Sequence, residues 1–523
     1  MWNAFRFDIY TDFGKIYKRK VNGMQRKALG ALALFLTFVL LFCSCTGGGE
    51  PTENGENSAD TGNETVQSLS VSLPYFESDS CNPYFAVSTE NRALASLFYA
   101  PLYRVNADFA PKAVLAERMD GGGTSYAVTL KTAVFSNGKS VTAADVVYSF
   151  NLAKNSAWYG ARLANVQSAK AQGNAVVFTL SAPERYFENL LTFPVVQQGT
   201  ADTADAVPVG SGAFVLSADG TVTENPHSTR GAVQTVRLVH IKDASHLGDA
   251  LEIGNIDFVF DDFADGNYTR IVAQNTFVTM NNLVYLGMNC TAGALTSAAV
   301  RTAIYYAADK DNVAASAYRG CAESAALPFH PAFCKAQGLA LGQTAADTAR
   351  ASEILGKIGY NRYDKNGRLT NGQNTLGMTI LVNGANGFRL SAAYAVADNL
   401  NAAGFSVTVE NVSDEVYRAR IASGAFTLYL GEVKLGENMS LSPFFGGAAS
   451  AGADSTLPVF AAYTAFAAGE VSLSDFANAF LDDMPFVPLC YRAGLAAYSR
   501  SIAPDFSAAA YDIYGDITLW TAA

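Results

Sequence analysis

The stretch Tyr126 to Phe150, YAVTLKTAVFSNGKSVTAADVVYSF, constrains the fold more than any other part of the chain. Tyr126-Ala127-Val128-Thr129-Leu130 alternates as a half-buried strand does. Asn137-Gly138 suits a turn that needs positive φ. Thr142, with Asp145 three residues on, has the form of a capping box ahead of the apolar helix VVYSFNLA. Strand, turn and capped helix in such close succession specify α/β structure built from short elements. With 523 residues the chain is too long for a single core, so two or more domains are expected. Half of the residues are apolar, which favours a packed body over disorder.

The N-terminal segment points to a compartment. Ala28 to Phe42 (ALGALALFLTFVLLF) is an apolar run behind Arg26 and Lys27, the pattern of a signal peptide and short for a membrane span. It ends in Phe42-Cys43-Ser44-Cys45, and a small residue before a cysteine at that place is a lipobox pattern. Cys45 is the better lipidation candidate, because Ser44 is small where Phe42 is bulky. The alternative is an uncleaved anchor helix, which also holds the body at a membrane surface. Met24 begins a signal of ordinary length. Residues 1–45 are thus expected to be signal and lipobox, and residues 46–67, almost without apolar side chains, a flexible tether.

Charge is divided unevenly. The first 45 residues carry +5, leaving −16 on the remainder of a chain whose total is −11. So acidic a body repels phosphate backbones, and no nucleic-acid partner is expected. Cys81, Cys290, Cys321, Cys334 and Cys490 lack C-x-x-C spacing; Cys321 and Cys334 either close a loop or stay isolated buried thiols.

Further along, Leu69 to Leu73 reads as a strand and Glu90 to Tyr103 as a helix up to Pro101. Ala175 to Leu180, Val236 to Ile241 and Ile256 to Phe260 read as strands, and His246 to Leu251 as helical. A second module starts near Leu283, with helices Ala298 to Ala308, Ala346 to Ile358 and Ser391 to Ala403. Its strands are Met378 to Val382 and Phe405 to Glu410, and Phe486 to Tyr491 returns towards the first module. Catalytic signatures are missing. His227, His240, His246 and His330 form no H-E-x-x-H or i, i+4 pair, so zinc catalysis has no obvious ligand set and no metal-binding residue is named, while a metal chelate, which needs few direct ligands, stays open as a solute. Asn137-Gly138-Lys139-Ser140 imitates the end of a P-loop, yet Ala133 stands where its first glycine belongs. Gly210-Ser211-Gly212 lacks the nucleophile-elbow spacing.

The segments above resemble the family 5 extracellular solute-binding proteins, the oligopeptide, dipeptide and nickel receptors of ABC importers. Tyr126 to Phe150 is similar to that family's strand, Asn/Asp-Gly-Lys turn and Thr-Ala-x-Asp-Val helix start. Leu97 to Tyr103 with Phe109-Ala110-Pro111 and Leu115-Ala116-Glu117, and Pro208 to Phe214, agree in order. So do Asn289 with Val300 to Lys310, and Leu400 to Glu410. Together they span about Ser68 to Trp520. Arg301, Asp309, Gly210 and Gly212 in these motifs read as structural.

The resemblance implies a two-lobed, periplasmic-binding-protein-like α/β fold with mixed sheets and a cleft closed by a hinge. Lobe 1 would hold residues 68–285, lobe 2 residues 286–484, and residues 485–523 would return to lobe 1. It implies no catalytic step and no cofactor. Its partners would be a small, oligopeptide-like solute and an ABC permease complex, with the protein extracytoplasmic and held to the cell membrane by its lipid. In peptide-binding relatives, one cleft loop corresponds to Asn82-Pro83-Tyr84. Another usually reads Gly-Trp-x-x-Asp, its Asp holding the peptide ammonium. Here the second loop is Gly431-Glu432-Val433-Lys434-Leu435-Gly436-Glu437-Asn438, without that Trp or Asp, which puts a free peptide N-terminus in doubt. Glu432 replacing the acidic partner and Lys434 selecting a carboxylate is one reading; both facing solvent is the other. Tyr84, Phe85, Thr89 and Glu90 are further candidates, Tyr84 and Phe85 with a core role as the alternative. A ligand sensor of the same fold, feeding a signalling partner, and an exported hydrolase on another α/β fold remain as competing functions.

Overall fold

Thr142 caps its helix reciprocally: its hydroxyl accepts from the Asp145 N–H at 3.4 Å, and the Asp145 carboxylate accepts from the Thr142 N–H at 2.9 Å. Just before, Gly138 takes φ +80° and the Phe135 N–H bonds to the Lys139 carbonyl at 2.8 Å across the turn. These contacts come from a computed structural model that describes residues 68–523 apart from 267–270, 374, 446–453 and 508–511. The signal, Cys45 and the tether therefore lie outside the described residues.

The principal elements up to residue 261 are β1 (Leu69–Tyr75), β2 (Ala116–Gly122), β3 (Ser125–Leu130), α1 (Ala143–Asn155), β4 (Val166–Gln172), β5 (Ala175–Leu180), β6 (Val233–His240) and β7 (Phe258–Asp261). Then follow β8 (Gln274–Met288), α2 (Ala298–Ala307), β9 (Ala322–Ser324), β10 (Gly377–Asn383), α3 (Gly387–Ala402), β11 (Ser406–Val412), β12 (Leu428–Lys434), α4 (Pro458–Ala468), α5 (Leu473–Asp483) and β13 (Phe486–Tyr498). Strands β2-β3-β5-β4 form an antiparallel sheet, and β1 pairs parallel with β6. A mixed seven-stranded sheet runs β7-β13-β8-β12-β10-β11, with β9 also on β13. Helix α3 makes the crossover between the parallel strands β10 and β11.

Two large apolar cores result. One gathers Val71, Leu97, Phe135, Phe150, Phe178 and Phe258 with Ile502, Tyr514 and Trp520 from the end of the chain. The other gathers Leu283, Ile304, Phe388, Leu428, Phe480 and Phe486. Each fully buried side chain of this size stabilises the fold by roughly 1.5–3 kcal/mol. Strands β8 and β13 serve both cores: Val278 and Ala496 lie in the first, Leu283 to Met288 and Phe486 in the second. Their antiparallel ladder is interrupted twice. Pairing passes from Thr279↔Ala493 to Asn282↔Arg492, skipping Met280 and Asn281, and from Val284↔Cys490 to Tyr285↔Pro488, skipping Leu489. Pro488 has no N–H to give the ladder, which accounts for the second bulge.

Several sequence expectations are revised. Glu90 to Tyr103 is two short helices, Thr89–Ala93 and Ala95–Phe98, followed by a strand Tyr103–Val105. The Phe98 carbonyl accepts from the Gly212 N–H at 2.9 Å, so tertiary pairing ends the helical run there. The strand expected from Leu283 begins at Gln274, because its polar first residues hide the alternation. Helix α3 begins at Gly387 rather than Ser391, its Asn386 side chain accepting from the Arg389 N–H at 3.0 Å. Cys321 and Cys334 are both buried free thiols, so no bridge closes that loop. Asp309 caps a helical turn by accepting from the Asn312 N–H at 2.9 Å, a structural role as expected.

Gly212 shows why a glycine stands in the Pro208 to Phe214 motif. A Cβ there would sit 2.5 Å from the Phe98 carbonyl carbon and 2.7 Å from the Tyr99 nitrogen, with the Leu97 carbonyl oxygen also in the way. All three are backbone atoms, so side-chain rotation cannot relieve the clash. Gly212→Ala is expected to destabilise the fold by about 3 kcal/mol, read by urea denaturation. A change within ±0.5 kcal/mol would mean the loop passes elsewhere.

Candidate ligand site

Strand β12 ends at Lys434 and delivers the following segment against residues 158–190 of the first part of the chain. Leu435 N–H bonds to the Asn281 carbonyl at 3.0 Å, which fixes the exit from the strand. The Glu437 side chain, 1% exposed, meets Arg162 Nη1 at 2.7 Å. Asn189 Nδ2 donates to the Glu437 carbonyl at 3.0 Å. Asn438 Nδ2 donates to Glu184 Oε1 at 2.9 Å, and Asn165 Nδ2 donates to Glu184 Oε2 at 3.0 Å. Burial raises the Glu184 pKa above the usual carboxylate value, against these bonds.

These residues enclose a cavity of about 670 Å³. Trp158, Arg162, Asn165 and Glu184 line one side; Lys434, Glu437, Asn438, Phe445 and Tyr463 line the other. Its size and its mix of aromatic walls with a few charged groups suit a small organic ligand. A smaller cavity of about 40 Å³ adjoins at Trp158 and Lys434, lined also by Thr89, Arg92 and Asp262.

Cations surround the Trp158 indole. The Lys434 Nζ lies 4.0 Å from a ring centroid, the Arg92 guanidinium carbon 3.9 Å and that of Arg162 5.9 Å. Lys434 is exposed at the end of β12, with the walls of the two cavities packed around its side chain. That desolvation, aided by Arg162 and Arg92, lowers its pKa to about 8, while Glu437 and Asp262 act in the opposite sense.

Of the residues singled out in the sequence, Lys434 and Thr89 line these cavities. Glu432 lines neither: it accepts from Asn282 Nδ2 and from Arg492 Nε, both at 2.9 Å, tying β12 to β8 and β13. Tyr84 is buried in the first core, its hydroxyl donating to the Pro194 carbonyl and its ring against Tyr159. Phe85 is 40% exposed, and the pKa of the enclosed Glu90 is raised by burial. Trp158, Arg92, Arg162, Glu184 and Glu437 escaped sequence reasoning. Trp158 had one available signal, as one of only three tryptophans in the chain. Among the described residues no group of three or more His, Cys, Asp or Glu is placed to hold a metal ion.

A mixed α/β body with a cleft-like cavity between two cores defines a solute-binding architecture, and the sequence agrees. The model of bacterial extracellular solute-binding proteins, family 5 Middle, matches residues 110–452, more than half of the chain. This protein belongs to that family. The oligopeptide-binding protein AppA of Bacillus subtilis is 22% identical over 431 residues, covering 76% of this chain and 77% of AppA. The structure of NikA from Brucella suis in complex with Fe(III)-EDTA superposes with a TM-score of 0.65 at 20% identity, over 86% of this chain and 100% of NikA. The murein tripeptide binding protein MppA, in its unliganded open form, gives 0.71 at 16% identity, over 87% of this chain and 97% of MppA. At these identities the structural likeness establishes the fold, a two-lobed periplasmic-binding-protein-like one.

Proposed function

We propose that this protein is the lipid-anchored, extracytoplasmic substrate-binding component of an ABC importer, capturing peptide-like solutes and delivering them to a permease. It carries out no chemical step on the solute. The observation that carries this is the cavity of about 670 Å³, which presents a carboxylate at Glu184, an ammonium at Lys434 and aromatic walls at Trp158 and Tyr463. A ligand with both charge signs and apolar side groups finds complements for each. The family, and the oligopeptide receptor among the relatives, support the same substrate class. In this reading residues 68–285 with 485–523 form one lobe and residues 286–484 the other, with crossings near Tyr285 and Pro485. Cys45, behind the apolar run Ala28 to Phe42, is the lipidation site.

Mass spectrometry of small molecules released from the purified protein should recover short peptides. Adding them back should raise the thermal midpoint, since a ligand that binds only the native state stabilises it. An empty protein that no peptide stabilises would defeat the peptide reading and leave the family assignment standing.

A further inference from the structure

We propose that Lys434 and Arg92, both held against the Trp158 indole, form an anion subsite that receives a carboxylate of the transported solute. This rests on the binding function proposed above and names the kind of ligand the site selects.

Three cations converge on one indole, and their local balance is incomplete. Glu437 meets Arg162 at 2.7 Å and takes up that charge. Arg92 gives its Nη1 to the Val87 carbonyl at 2.8 Å and its Nη2 to Thr89 Oγ1 at 3.3 Å, both neutral acceptors. Among the described residues no carboxylate comes within ion-pair distance of Lys434 or Arg92. Asp262 lines the same small cavity and accepts from the Ala264 N–H at 2.9 Å, while Glu437 acts on Lys434 and Glu90 on Arg92 from beyond ion-pair distance. Asp79, beside Arg92, is occupied by the Ser88 hydroxyl at 2.6 Å.

Arg92 and Lys434, at 3.9 and 4.0 Å from Trp158 rings, line one small cavity, and the Arg92 charge acts on Lys434. An indole quadrupole attracts a cation but carries no net charge, so it cannot neutralise two. Like charges that line one cavity repel, and an anion held there relieves the repulsion. Lys434 and Trp158 line the large cavity as well as the small one that Arg92 lines, so a ligand in the large cavity would bring that anion to them. The acid end of the solute docks at Trp158, and the Glu184 carboxylate, which accepts from Asn165 and Asn438, lines the large cavity into which the rest of the solute extends.

The test uses the full chain in detergent with four probes: Ala-Phe-Ala, its C-terminal amide, its N-acetyl form and citrate. Binding is read by calorimetry in the native protein, Lys434→Met and Arg92→Gln. The free acid and the N-acetyl peptide should bind at least about tenfold more tightly than the amide. Lys434→Met should reduce that preference to about threefold or less while the protein keeps its thermal midpoint in the absence of ligand. Acid and amide binding equally to the native protein would overturn the anion subsite and leave peptide capture intact. Citrate binding in a Lys434-dependent way while every peptide is silent would uphold the subsite and defeat peptide capture. Silence from all three acids would overturn the subsite as well.

Discussion

Arg301→Ala is expected to lower the stability of the folded chain by about 4 kcal/mol, measured by urea or guanidinium denaturation. The guanidinium is 1% exposed and bonds to backbone carbonyls. Nε donates to Asp483 O at 3.0 Å and Met484 O at 3.2 Å; Nη2 donates to Asp483 O at 2.6 Å. Nη1 donates to Leu295 O at 2.8 Å and Thr296 O at 3.2 Å. The first two carbonyls close the C-terminal end of α5, where the helix leaves unpaired acceptors and partial negative charge. The last two end the turn before α2. Alanine would leave four carbonyls short of a donor, of which those of Leu295 and Met484 are buried, each buried one costing about 1–3 kcal/mol before relaxation. Arg301→Lys keeps the charge but not the planar fork, and should fall between the two. A loss below 1 kcal/mol would show that water or a neighbour satisfies those carbonyls.

The second large effect is on binding as a function of pH. The ammonium of Lys434 has a pKa of about 8 in the free cleft, and a carboxylate placed beside it favours the charged form, so the bound pKa is higher. Between the two values the complex holds more protons than the free protein. Affinity is therefore full below about pH 8 and falls by up to about tenfold per pH unit above it, until the bound pKa is reached. Arg92 and Arg162 hold the free value down, while Glu437 and Asp262 hold it up. Across pH 7 to 10, titrations with the acid that the protein binds should lose about 100-fold in affinity. Lys434→Arg, charged throughout, should flatten the curve. A native profile that stays flat would show that Lys434 does not face the bound anion.

Local chemistry was legible in the sequence wherever a few neighbouring residues decide the structure. The Thr142–Asp145 cap, the Asn137-Gly138 turn and the strand that precedes them are of this kind, since their partners lie within a few positions. Reading failed where distant groups compete for the backbone. Gly212 reaches the Phe98 carbonyl from more than a hundred positions away and stops a run that looks helical. Strand β8 hides its start because Gln274, Asn275 and Thr276 are polar, although all three pair with β13. The site divides the same way. Lys434 stood out as a charge in a cleft loop. The ring it faces and the arginines beside it come from segments around residues 92 and 158–162, which no local pattern links to residue 434. Glu432, equally conspicuous, is spent on tying three strands together.

The first core draws on Ile502, Tyr514 and Trp520 as well as on residues from Val71 onward, with Trp520 packed 5.2 Å from Phe258 between ring centroids. A ribosome makes these two contributions separately, with Leu283 to Leu495 between them. The half whose residues emerge first must wait, its hydrophobic face unfinished, until residues 502–520 arrive to seal it, whereas Leu283 to Leu495 are made in one continuous pass. Order of synthesis and order of completion are thus inverted, and a polypeptide halted between Leu495 and Ile502 would release one finished half and one open one.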